Sequence, residues 1–95
     1  MASDVLATLR QKINDVDDAI FDLLKERAKI AKQIGVYKKS HHIPVRDLKR
    51  EEQHAEAIQH RYPELGSDLI QSILHAMIQD AVRIQEDKLK FDAVD

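Results

Sequence analysis

The sequence predicts an all-α fold of three helices per chain, one very long and two shorter, forming an intertwined homodimer. Helix breakers are scarce, with two glycines and two prolines in 95 residues. Apolar residues recur at three-and-four spacing from Leu6 through Leu9, Ile13, Val16, Ile20, Leu23, Leu24, Ala31 and Ile34, and no proline interrupts this run before Pro44. A helix of about 35 to 40 residues would be about 50 to 60 Å long, whereas a compact domain of this size has a radius of gyration near ~13 Å. The rest of the chain is too short to wrap such a helix, so a second chain must bury much of the stripe, most simply across a two-fold axis.

Composition sets the other bounds. One helical domain over 1–95 is expected, near the lower end of what buries a self-sufficient core. There is no cysteine and no tryptophan, which excludes disulfides, thiolate metal sites and cysteine nucleophiles and leaves an aliphatic core. Lys and Arg number 15 against 17 Asp and Glu. That balance gives no global field towards nucleic acid or an anionic membrane, so any anion site is local. The N-terminus lacks a basic stretch followed by an apolar run, and no segment approaches the ~20 apolar residues of a membrane span. A cytoplasmic protein is expected.

The first helix is expected to begin at Ser3 or Asp4, either of which can cap it. Ser40-His41-His42-Ile43-Pro44 reads as a loop, because Pro44 lacks a donor and biases Ile43 away from helical geometry. A second helix should start near Arg46-Asp47 and run to about His60, with Asp47 in its first turn against the positive end of the dipole. Tyr62-Pro63-Glu64-Leu65-Gly66 breaks it. Ser67 or Asp68 then caps a third helix with the stripe Leu69, Ile70, Ile73, Leu74, Met77, Ile78, Ala81, Ile84 and Gln85, and the tail after Leu89 reads as frayed.

Charged and polar residues on these apolar lines mark the candidate site. Arg27, Ile34 and Lys38 share one line of the first helix. Eleven residues make three turns plus about 20°, which places the two cations on one face about 16 Å apart. Their stems can cover apolar surface while their heads reach water, but two converging cations on a core-facing line also suit an anionic ligand. Arg46-Asp47-Leu48-Lys49-Arg50-Glu51 brings both signs of charge into one helical turn, where Asp47, Arg50 and Glu51 face roughly the same way. Alone it reads as a solvated helix start; if the second helix folds back over the first, it makes a pocket for a hydroxylated anion. Arg10 lies seventeen residues, or about 25 Å of helix axis, before Arg27 and can reach that pocket only from a second chain. Gln85 is either a core glutamine bonded to a neighbour or an amide donor in the pocket. Gly35, inside a helix at a cost of about 0.5 to 1 kcal/mol relative to alanine, marks a close approach of backbone or ligand, or helix packing. The five histidines show no ligand spacing, so no metal site is expected.

In order and spacing, Leu9-Arg10-Gln11-Lys12-Ile13, Glu26-Arg27, Gly35, Lys38, Pro44-Val45-Arg46-Asp47, Arg50-Glu51 and Gln85 resemble the all-helical class of chorismate mutases. The resemblance covers about Leu6 to Leu89. It implies the intertwined three-helix homodimer and the rearrangement of chorismate to prephenate in phenylalanine and tyrosine biosynthesis, without cofactor or nucleophile. It also implies that Arg27, and Arg10 from the partner chain, clamp substrate carboxylate and that Arg50 adds positive charge. Lys38 and Gln85 would donate to the ether oxygen, Asp47 and Glu51 would accept from the ring hydroxyl or orient the cations, and Ile34 would form an apolar wall. Where relatives often carry a small hydroxyl residue this chain has Ala81, which removes one hydrogen bond to substrate; His41-His42 also departs from the pattern. A lyase of the same scaffold, splitting isochorismate into salicylate and pyruvate, and a non-catalytic helical dimerisation or regulatory module are the alternatives. The intact Arg46-Asp47-x-x-Arg50-Glu51 block resembles the mutase.

Overall fold

The computed structural model describes the backbone from Ala2 to Val94 and side chains from Asp4 to Glu86. It is all-α, with α1 Ala2–Ser40, α2 Leu48–Arg61 and α3 Ser67–Val94 and no strand among the described residues. The 39 residues of α1 fall within the length that the apolar period predicts. Its start differs by a residue or two: Ser3 and Asp4 lie inside the helix rather than capping it, with Asp4 in the first turn, where a carboxylate still meets the positive end of the dipole.

The end of α1 is closed by its own backbone. Ile43 N–H donates to the Lys38 carbonyl at 2.8 Å and His42 N–H to the Lys39 carbonyl at 3.3 Å, the paired bonds of a Schellman cap. Such a cap needs one residue in the left-handed region, and His42 takes it with φ 53°. Tyr37 and His41 stack beside it, with ring centroids 3.9 Å apart.

Asp47 is the N-cap of α2 and not a residue of its first turn, as the sequence reading had it. Its backbone is extended, at φ −128° and ψ 92°, and its Oδ1 accepts from the Arg50 N–H. Tyr62 N–H donates to the Ile58 carbonyl at 3.0 Å and closes the helix where Pro63 ends it. At α3 the Gly66 carbonyl accepts from Ile70 N–H at 3.1 Å, so Ser67 and Asp68 are helical residues rather than caps. The α3 backbone is helical to Val94, beyond the expected fraying point at Leu89, in a stretch with no glycine or proline.

The chain divides into two compact units, 1–30 and 31–95. The described residues of the first all belong to α1. Its stripe is exposed: Leu6, Leu9, Ile13, Val16, Ile20 and Leu23 are 47% to 69% exposed. Leu24, Arg27 and Ala28 are its half-buried positions among the described side chains.

The second unit has a small aliphatic core of Ala31, Ile70, Leu74 and Ile84, and Gln85 is buried with them. Helix α2 packs against α3. None of its residues is fully buried; the half-buried Glu51, Ala55, Ile58 and Gln59 recur at helical period and define its inner face. Gly35 is also buried, and its backbone approaches Gln85 of α3.

Candidate active site

Most of the candidate residues fall in the second unit, around the turn from α1 to α2. Lys38, half-buried in the last turns of α1, donates from Nζ to the Val45 carbonyl at 2.5 Å. This bond ties the loop before α2 back to α1. An ammonium has three N–H donors, so the tether leaves donors for a ligand.

At the start of α2 the carboxylates have separate tasks. Asp47 Oδ1 accepts from the Arg50 backbone N–H at 3.1 Å, fixing the first turn. Glu51 is held by Arg46, whose Nη2 and Nε donate to Oε1 and Oε2 at 2.5 and 3.1 Å, a two-pronged guanidinium–carboxylate pair. The hydrogen bonds from Arg46 hold the Glu51 carboxyl below the usual carboxylate range; partial burial opposes this, and the charges of Arg46 and, more weakly, Lys38 reinforce it. Glu51 likewise raises the pKa of Arg46, first through the hydrogen bond and then through its charge. Lys38, Arg46, Asp47 and Glu51 therefore share one electrostatic neighbourhood.

On α3, Gln85 is only 6% exposed, and its Oε1 has no hydrogen-bond partner among the described residues. An unmade bond of this kind costs about 1 to 3 kcal/mol, so the amide is poorly explained as a structural core residue. Among the described residues, no neighbour bonds the Gln85 oxygen as the core-glutamine alternative would have it. Ala81, one turn earlier, is half-buried, and Ile34 is 41% exposed. The Arg50 side chain is exposed.

Arg10 and Arg27 belong to the first unit, the former exposed and the latter half-buried. Within the second unit, Lys38, Asp47 and Glu51 are electrostatic neighbours and Gln85 packs on Gly35, three residues before Lys38. Sequence reasoning missed two participants. Arg46 grips Glu51 across five residues spanning the helix cap, a spacing outside the three-and-four rule, and Val45 takes part through its carbonyl, which no side-chain pattern reports. Among the described residues no group of three or more His, Asp or Glu is placed to hold a metal ion. No described helix is long and apolar enough to cross a membrane.

An all-α domain with an ammonium, a clamped carboxylate and a buried amide whose oxygen has no partner among the described residues is suited to a hydroxylated anion. The chain belongs to the chorismate mutase type II family, whose pattern it matches over residues 9–86. It is also similar to proteins described as bifunctional chorismate mutase/prephenate dehydratase from Escherichia coli K12, Escherichia coli O157:H7 and Shigella flexneri, with 32% identity over 83 residues in each case. The matched segment is 85% of this chain and 22% of each relative, so the chain spans about a fifth of the length of the curated relatives it matches.

Proposed function

We propose that the chain rearranges chorismate to prephenate as a homodimer with two equivalent sites. The family match over residues 9–86 carries the activity. The reaction breaks a carbon–oxygen bond as a carbon–carbon bond forms, within one molecule. It needs no nucleophile and no cofactor. What it needs is a substrate held in compact diaxial shape and donors aimed at the ether oxygen, where negative charge grows.

Lys38 and Gln85 are those donors. Preorganised donors at developing charge are usually the largest catalytic term, each worth about 3 to 4 kcal/mol. The Val45 carbonyl holds the Lys38 ammonium in place, which supports this role. Arg27 clamps substrate carboxylate with Arg10 of the partner chain, since guanidinium pairs with carboxylate in a fork, and Arg50 adds positive charge. Glu51, ionised at neutral pH and held in place by Arg46, accepts from the ring hydroxyl and offsets the nearby cations. Asp47 holds the first turn of α2 that presents Arg50 and Glu51. Ile34 forms an apolar wall, and Ala81 leaves one substrate contact unmade, weakening binding by about 0.5 to 1.5 kcal/mol.

The uncovered stripe from Leu6 to Leu23 supports the homodimer, because six large apolar side chains on one face match the surface a second α1 would cover. An enzyme of this kind is expected in the cytoplasm. The test is turnover of chorismate by the purified chain, followed by loss of the diene absorbance, with isochorismate in parallel. Prephenate from chorismate is expected. Salicylate and pyruvate from isochorismate, with chorismate untouched, would replace this reading with the lyase.

A further inference from the structure

Gln85 is buried, yet no hydrogen bond from the described residues fixes its amide oxygen. Its carbons pack closely against Gly35. A Cβ built at Gly35 would lie 3.1 Å from Gln85 Cγ, 3.2 Å from its Cα and 3.4 Å from its Cβ. None of those atoms is the far end of the side chain, and the Cα is backbone inside α3 and cannot swing aside. Lys38 stands three residues after Gly35, on the same side of α1 by helical period. The glycine therefore lets the α3 backbone come within one turn of the Lys38 position.

We infer that Gly35 is a positioning residue that sets the Gln85 amide relative to the Lys38 ammonium, so that both donors meet one oxygen. This rests on the mutase reading given above. It assigns Gly35 no contact with substrate; its effect passes through Gln85. A methyl group at position 35 must displace α3 or turn the Gln85 side chain by a few tenths of an ångström. A misplacement of about 1 Å costs on the order of 100-fold in rate, so a smaller one costs roughly tenfold.

The experiment compares wild type, Gly35→Ala, Gln85→Leu and the double variant for prephenate formation. Gly35→Ala is expected to lower kcat about tenfold with KM within about threefold, and to add no further loss in the Gln85→Leu background. Losses that multiply in the double variant, or wild-type kcat in Gly35→Ala, overturn the inference. If the wild type forms no prephenate, the mutase reading itself has failed. Rotamer couplings of Gln85 by NMR on the free wild-type protein then decide the positioning claim, as they do if Gly35→Ala does not fold. One fixed rotamer supports it; averaging over several overturns it.

Discussion

In residues 1–30 every described side chain before Leu24 is exposed, whereas residues 31–95 bury Ala31, Gly35, Ile70, Leu74, Ile84 and Gln85. Among the described residues the first unit has a long apolar face and no buried side chain; the second has a core, a capped turn and most of the candidate polar residues. A helical stripe states where burial must happen without saying what does the burying. In the second unit α3 and α2 answer that question within the chain. For the first unit we propose that a second copy of the chain does, and the same proposal brings Arg10 of that partner to the site beside Lys38 and Gln85.

The contrast can be broken at either end. The largest effect belongs to the second unit: Lys38→Ala and Gln85→Ala should each lower kcat by about 100- to 1,000-fold while circular dichroism and dimerisation stay as in wild type. Retained turnover in either would remove the donors from the mechanism. Next comes Ile13→Asp in the first unit. A carboxylate placed in a face that a second chain buries has no partner there, so sedimentation should show loss of the dimer, at a cost of several kcal/mol, with activity lost alongside. A dimer that survives Ile13→Asp unchanged would mean that the stripe is covered otherwise.

Smaller effects sharpen the account of the turn that joins α1 to α2. His42 occupies the left-handed position of the Schellman cap, which costs an L-residue about 1 to 2 kcal/mol. His42→Gly removes that strain, and the greater freedom of glycine in the unfolded chain takes back about 0.4 to 1 kcal/mol. A net gain of about 0.5 to 1 kcal/mol should appear as a rise in Tm of about 2 to 8 °C at fixed protein concentration. Least in size is the pH response of Arg46 and Glu51. The folded Glu51 carboxyl sits below its unfolded value, so its contribution is fully present above the unfolded pKa of about 4.3 and is lost as pH falls through the folded value. In Arg46→Met the Tm should fall less steeply on acidification than in wild type; identical acid limbs would show that the pair contributes nothing.

How much of this was legible in the sequence follows from how local each signal is. The three helices and their breaks were readable because three-and-four periodicity and two prolines act through neighbouring residues; the helix starts moved by one or two positions, and the α3 backbone runs five residues past the expected fraying point. Gln85 stood out because an amide on an apolar line is anomalous, and Gly35 because a helical glycine is. The Arg46–Glu51 pair, the Lys38–Val45 tether and the left-handed His42 were not readable. Each depends on the path of the backbone through 41–47, and no period constrains a loop.

In the proposed dimer, one chain's Lys38 and Gln85 work with Arg10 of the other. Arg10→Ala and Lys38→Ala, each inactive alone, should regain activity when co-folded. Random pairing makes half of the dimers mixed, and each mixed dimer has one intact site of two, so about a quarter of wild-type turnover is expected. Turnover no higher than that of either variant by itself, in a mixture shown to contain the mixed dimer, would contradict a site shared between two chains.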